Sequence, residues 1–348
     1  MPQRVLVTGG TGFVAGHVIQ ELLDHGYRVR ATVRTAAAAL PAPVETARAD
    51  LGSDEGWAEA VAGCDYVLHV ASPFPAALPD DEQELIRPAV EGTLRVLRAA
   101  AAGGTVKRVV LTSSCAAVVA GHDRRDLAAR VYTEADWSVV DASPPYQKSK
   151  TLAERAAWDF VAELPAAQRF ELVAVNPGLV LGPLGRASAG TSVDVVRRLL
   201  ARDVPGSARM AMAIVDVRDL AAAHRLAMET PSAAGNRYIL AGEDMWMRDA
   251  ARVLAAEFAG RGFRVPTGVM PNWVLWLAAR FDRSLRLALY FLDRRERVSA
   301  AKAQRELGWV MRPARETLVD TGNSLIERGI VTPRGARAVP SAEPAGGR

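Results

Sequence analysis

With 348 residues, 49% of them hydrophobic and 24% charged, the chain has the composition of an ordinary globular protein with room for one large core, or a large and a small one. Forty-three Lys and Arg face 39 Asp and Glu for a net +4, and the last eighteen residues alone hold three Arg against one Glu, so the basic balance does not point to a nucleic-acid partner. Cys64 and Cys115 lie in apolar surroundings with neither Cys-x-x-Cys spacing nor histidine clusters, which argues against bound metal and reads as two buried thiols in a reducing compartment.

No cationic stretch followed by an apolar core precedes the first predicted strand, so no secretory signal and a cytoplasmic location are expected. The strand, Val5-Leu6-Val7-Thr8, runs into Gly9-Gly10-Thr11-Gly12-Phe13-Val14-Ala15-Gly16. A buried strand, a turn without Cβ atoms and a helix start form a cradle for a dinucleotide pyrophosphate, because backbone N–H groups can approach it at the positive end of the helix. The spacing, Gly-x-x-Gly-x-x-Ala, is not the Gly-x-Gly-x-x-Gly of ordinary dehydrogenases.

A first helix is predicted over Phe13–His25, with Val14, Val18 and Leu22 on one stripe and Gly26 as its stop. Strands follow at Arg28–Val33, Val44–Ala49, Tyr66–Val70 and Arg108–Thr112, each separated by enough chain for a crossover helix. Alternation of this kind predicts an α/β fold with a parallel, doubly wound sheet. The helix over Asp81–Ala102 contains Pro88, which should kink it or mark its true start, and Gly103-Gly104 ends it. In the insertion Ala120–Ser143, the run His122-Asp123-Arg124-Arg125-Asp126 reads as an exposed loop. Ser143 is expected to cap a helix that has a proline at its first position and reaches about Glu163.

A sixth strand, Phe170–Val175, ends in Asn176-Pro177-Gly178. Beyond it the rhythm loosens into a strand at Ala213–Val217, a helix at Asp219–Glu229, a strand at Arg237–Ala241 and a helix near Met247–Phe258. The apolar stretch Val269–Leu292 is interrupted by Arg280, Asp282, Arg283 and Arg286, too often for a membrane span, and is expected to be a packed amphipathic helix. The division expected is 1–178 for dinucleotide binding, 179–331 for a smaller substrate-binding portion interleaved with it, and 332–348 as a disordered tail.

Tyr146-Gln147-Lys148-Ser149-Lys150 sets a phenol and an ammonium one helical turn apart. A tyrosine is a poor acid–base at neutral pH, and a neighbouring cation is expected to stabilise its phenolate. Ser114, just past the fifth strand, lies at the carboxyl edge of the sheet, where its hydroxyl could bond a substrate carbonyl oxygen. Arg34, at the end of the second strand where NAD enzymes tend to carry an acid, suits the 2′-phosphate of NADPH (NADP+). The following Ala36-Ala37-Ala38-Ala39-Leu40-Pro41 lacks a second cation, which leaves NADH use open. His69 and His224 read as packed histidines, while Met210, Met212, Met245, Met247, Trp246 and Trp273 fit a substrate pocket or the core.

Glycine turn, serine-tipped strand and Tyr-x-x-x-Lys occur in the order of the extended short-chain dehydrogenase/reductase family, which the chain resembles over about Val5 to Ile330. It is most similar to the branch of dihydroflavonol, cinnamoyl-CoA and methylglyoxal (aldehyde) reductases. That finer likeness lies in Arg30-Ala31-Thr32-Val33-Arg34, Val70-Ala71-Ser72-Pro73-Phe74, Val131 to Trp137, Ser149 to Glu154, Asn176 to Pro183, Val215 to Leu220 with His224, and Glu306 to Trp309. The resemblance implies a Rossmann-type fold and Ser114, Tyr146 and Lys150 as the catalytic set. It also implies that Gly9, Gly12, Phe13 and Val14 meet the pyrophosphate, Asp50 and Leu51 the adenine, Ala71 the ribose region, and Pro177, Gly178, Leu179 and Val180 the nicotinamide, with Phe74 on the substrate side. The activity implied is reversible NADPH-preferring reduction of a small aldehyde or ketone by a monomer or homodimer. The rivals are a 3β-hydroxysteroid dehydrogenase, a sugar-nucleotide epimerase, or a regulator that senses the dinucleotide without turning it over.

Overall fold

A computed structural model of the chain describes residues 2–35, 40, 42–73, 81–185, 190–242, 244–281 and 285–333. Strands β1 (Arg4–Val7), β2 (Arg28–Val33), β3 (Glu45–Arg48), β4 (Tyr66–His69), β5 (Arg108–Thr112) and β6 (Glu171–Pro177) alternate with α1 (Phe13–Asp24), α2 (Trp57–Val61), α3 (Gln83–Gly103), α4 (Arg124–Ala129) and α5 (Pro145–Ala162). The second half contributes β7 (Leu179–Leu181), α6 (Asp194–Leu200), β8 (Ala211–Asp216), α7 (Val217–Glu229), β9 (Arg237–Leu240), β10 (Asp244–Trp246), α8 (Met247–Phe258), α9 (Asn272–Phe281), α10 (Arg286–Tyr290), α11 (Ala301–Leu307) and α12 (Ala314–Glu327).

The seven-stranded sheet has the order β3-β2-β1-β4-β5-β6-β9, and every pairing in it is parallel. Successive side chains of a strand point to opposite faces. In β1, Val5 and Val7 therefore pack with Val18 and Leu22 of α1 and Leu220 of α7 on one face of the sheet, whereas Leu6 packs with Val96 and Leu97 of α3 and Ala157 of α5 on the other. Near-continuous apolar strands are the consequence of helices covering both faces.

A three-stranded sheet, β10-β8-β7, carries the second core, in which Leu181, Ile214, Leu254, Phe258 and Leu325 meet the Phe13 ring of α1. Thr321 and Ser324 of α12 accept the Gly182 and Leu184 amides at 2.8 and 2.9 Å, tying the end of β7 to this layer.

Four local expectations differ from the structure. Pro88 lies inside α3 and does not mark its start. Ser143 is not the cap of α5: Pro144 holds that position, and the Ser143 hydroxyl donates to Val139 O at 2.8 Å in the preceding turn. The polar run at 122–126 is exposed at Asp123, Arg125 and Asp126 but is a loop only through Asp123, whose carboxylate accepts the Arg125 amide and opens α4. The described residues of the stretch at 269–292 form two short helices, α9 and α10. Only Leu275 and Ala279 of α9 are buried, while Trp273, Trp276, Leu277 and Phe281 are exposed, Phe281 to 85%; two neighbours cannot be covered by so short a contact. Among the described residues no helix is long and apolar enough to cross a membrane.

Candidate active site

The strand order reverses between β1 and β4, and ligands of such sheets bind at the carboxyl ends beside that reversal. The glycine turn after β1 is locked there by two buried threonines. Thr32 accepts the Gly9 amide at 2.9 Å through its hydroxyl and the Gly10 amide at 2.8 Å through its carbonyl. The Thr8 hydroxyl accepts the Ala71 amide and contacts His69 Nδ1, both at 2.9 Å. Gly9 sits at φ +69°, and a Cβ there would come to 3.0 Å of the Ala71 Cβ, so the left-handed turn and the close approach of the segment after β4 both require glycine.

Helix α1 opens on Gly12 without any side-chain cap and without an acidic residue in its first turn. Its first N–H groups and positive end therefore fit an anionic phosphate pair, with Phe13 buried in the second core and Val14 packed beside it. Arg34 is exposed just past β2, which fits a further phosphate. Asp50 and Leu51 lie past β3, where Asp50 accepts the Gly52 amide at 2.7 Å and Leu51 O accepts from Arg95 at 2.7 Å. Pro177 closes β6, Gly178 joins it to β7, and Leu179 and Val180 are the first residues of β7, all but Pro177 half-buried. A Cβ on Gly178 would lie 2.1 Å from Ala213 O, so this crossing between the two sheets admits only glycine without a backbone shift. Phe74 and most of the 36–41 loop lie outside the described residues.

Ser114 follows β5 by two residues and caps the turn Cys115–Ala117, its oxygen accepting the Ala116 amide at 3.1 Å. The Tyr146 phenol, from the first turn of α5, shares a hydrogen bond with the Ser114 side chain. Burial pushes the Tyr146 phenol up to about 12, and the Ser114 bond offsets part of that rise. Lys150 is buried and donates from Nζ to Ser72 Oγ at 2.8 Å. Its own burial brings the ammonium down to about 8, with the Glu154 charge acting upward. The expected phenolate stabilisation is thus not what the structure displays: Lys150 faces Ser72, and desolvation dominates Tyr146.

His69 and His224 are packed. Burial lowers them to about 3 and about 4, and His224 bonds Thr112 Oγ1 at 2.7 Å and Leu220 O at 2.8 Å. Met212 and Met247 lie in the second core with Met210 and Met245 against it, whereas Trp273 is 68% exposed. Both cysteines are free and buried. Among the described residues no group of three or more His, Cys, Asp or Glu is arranged to hold a metal ion.

Sequence reading passed over several polar residues at this edge. Thr8, Thr32 and Ser72 set the glycine turn and the Lys150 amine, as above. Past Cys115, the Tyr290 hydroxyl accepts the Gly121 amide at 3.1 Å and bonds Glu296, whose carboxyl burial raises to about 7. Ser113, Glu154, Asn176 and Arg237 form a buried cluster behind Ser114. Their partners are distant in the chain, so no local spacing marks the cluster.

The chain matches the NAD dependent epimerase/dehydratase family over residues 5–241. It is 32% identical to the ketoreductase azaE of Aspergillus niger, over 94% of this chain and 99% of that protein. It is 36% identical to dihydroflavonol 4-reductase of Zea mays, over 73% of this chain and 74% of that one. Among solved structures, yeast methylglyoxal/isovaleraldehyde reductase Gre2 complexed with NADPH superposes with a TM-score of 0.76 at 27% identity, covering 94% of this chain and 100% of that chain.

Proposed function

The chain belongs to the NAD dependent epimerase/dehydratase family, in its extended short-chain dehydrogenase/reductase form, and from that membership we propose that it is an NADPH-preferring carbonyl reductase, reversible as an alcohol dehydrogenase. The observation that carries the reading is the meeting of the Tyr146 phenol with the Ser114 hydroxyl beside the buried Lys150 ammonium, at the carboxyl edge of the sheet. The named reductases among its relatives support it.

When bound, reduced nicotinamide supplies the hydride. The α1 amides at Gly12–Val14 hold the pyrophosphate, Arg34 the 2′-phosphate, Asp50 and Leu51 the adenine, and Lys150 with Ala71 the ribose region. Pro177 to Val180 back the nicotinamide, and residues 179–331 shape the substrate side. The Ser114 oxygen accepts the Ala116 amide and its hydroxyl bonds the Tyr146 phenol; a bound substrate's carbonyl oxygen would replace the phenol as the acceptor of the Ser114 proton. Tyr146 retains its proton throughout the neutral range, so it is loaded as the general acid for reduction and delivers that proton to the same oxygen. Substrate and cofactor held in register supply the remaining orientation.

A spectrophotometric screen of NADPH and NADH against aldehydes, diketones, β-keto esters and steroids tests this. Consumption of NADPH with a small aldehyde or ketone is expected. Turnover confined to 3β-hydroxysteroids, or confined to sugar nucleotides with retained NAD, would replace the reading by one of its sister activities, and saturable dinucleotide binding without any turnover would make the chain a sensor.

Arg34→Glu places a negative charge where the 2′-phosphate is held. A charge-assisted bond contributes about 1.5–3 kcal/mol, so NADPH should bind about 10- to 100-fold more weakly in this variant, while NADH changes little. Dissociation constants from fluorescence titration check this, and an unchanged NADPH-to-NADH ratio removes Arg34 from the account.

A further inference from the structure

Behind Ser114 lies a carboxylate that the proposed reaction does not use. Glu154 is 1% exposed, one helical turn past Lys150 on α5. Its Oε2 accepts the Ser113 hydroxyl at 2.5 Å and the Asn176 side-chain amide at 2.8 Å. Its Oε1 accepts Arg237 Nε from β9 at 2.6 Å and the Trp158 indole at 3.3 Å. Asn176 donates at the same time to Ser114 O at 3.1 Å. One side chain thus touches the residue before Ser114 and the residue before Pro177, from the helix that bears Tyr146 and Lys150.

Arg237 extends the cluster. Its Nη1 donates to Glu134 O and Asp136 O at 3.0 and 2.7 Å, its Nη2 to Ala117 O at 3.5 Å in the turn that Ser114 caps, and its guanidinium lies 3.7 Å over the Trp137 ring. A buried ion pair is a poor choice for stability alone, because desolvation offsets its Coulomb attraction and well-packed apolar residues of similar volume often hold a fold as well. What this pair does that an apolar pair could not is fix three hydrogen-bonded strand ends at set distances from one helix.

Resting on the reductase reading above, we propose that Glu154, anchored by Arg237, is a positioning residue that sets Ser114, Lys150 and the Pro177–Val180 segment against one another and supplies the negative charge facing the Lys150 ammonium. The groups acting on that ammonium are Glu154 from α5, neutral His69 from β4 and Ser72 from the turn after it; Lys148 pairs instead with Glu82 at 2.8 Å. Glu154 is the anion among these neighbours. Without it the Lys150 amine should lose its proton at lower pH, since a nearby opposite charge favours the charged form.

The test pairs Glu154→Met/Arg237→Met, which removes both charges and leaves neither unpaired, with Glu154→Asp, which keeps the charge but withdraws it by one methylene. Melting temperature, kcat and KM are measured for both. The amine of Lys150 is titrated by NMR of 13C-labelled lysine, which is tractable because the chain has only Lys107, Lys148, Lys150 and Lys302. The double variant is expected to melt close to the wild type, to lose at least about 10-fold in kcat with a smaller change in KM, and to titrate Lys150 about one unit lower. Glu154→Asp is expected to lose kcat while Lys150 titrates near the wild-type value. A folded double variant with wild-type kcat, or with the Lys150 titration unmoved, overturns the proposal, as does full kcat in Glu154→Asp. Because the titration needs no turnover, a wild-type chain inactive on every carbonyl would sink the reductase reading, and the titration shift or its absence would then decide the role of Glu154.

Discussion

Tyr146→Phe is expected to lower kcat for carbonyl reduction by about 10³-fold, in the range that a positioned general acid contributes, while NADPH still binds within a few-fold of the wild type. The phenol bonds the Ser114 side chain, so the substitution removes the proposed proton donor and that hydrogen bond, and leaves α1, Arg34 and Lys150, the groups proposed to hold the dinucleotide, in place. Burial raises the phenol to about 12, which makes it a loaded acid at neutral pH, and reduction is the direction that needs a loaded acid. Steady-state rates beside a fluorescence titration of NADPH check the split. Full activity in the variant would assign the proton to another group and remove the mechanism.

Lys150→Met should behave differently, losing both turnover and affinity: about 10²-fold in kcat/KM and on the order of 10-fold in NADPH binding, the second from loss of a charge-assisted contact. Its pH dependence has a definite sign. Burial favours the neutral amine and brings Lys150 down to about 8, so the cation is present below that pH and is lost as pH rises through it. Wild-type activity that depends on the cation should therefore fall through about pH 8, and the Lys150→Met profile should be flat there. Tyr146, which keeps its proton to far higher pH, cannot be the source of that limb. A wild-type rate that stays level from pH 7 to about 10 would contradict the assignment.

Much of the architecture was legible in local sequence. Strands such as Arg28–Val33 and Arg108–Thr112 were read with the bounds the structure gives them, because parallel strands covered on both faces are apolar runs between breakers. The glycine turn was legible for a similar reason, since left-handed Gly9 and an uncapped helix start leave a composition mark. The candidate site residues were read as positions at strand ends and on one helix turn, and the described ones lie at or just past the carboxyl ends of parallel strands or at the starts of α1 and α5. Their partners were not legible. Lys150 turns to Ser72, 78 residues away, and Glu154 to Arg237, 83 residues away; no periodicity encodes such meetings. Ser143 and the stretch at 269–292 went astray because caps and burial depend on what the next element covers, and Trp276 and Phe281 of α9 remain uncovered.

The central claim is that this chain moves a hydride from NADPH to a carbonyl carbon. Reduction with NADPH deuterated at the nicotinamide C4, followed by mass spectrometry and NMR of the alcohol formed from an aldehyde or ketone, reads that transfer atom by atom. The expected result is one deuterium on the carbinol carbon, delivered from one face of the nicotinamide only, and lost with the rate in Tyr146→Phe. An alcohol without deuterium, or no alcohol from any carbonyl offered while NADPH binds, would contradict the account.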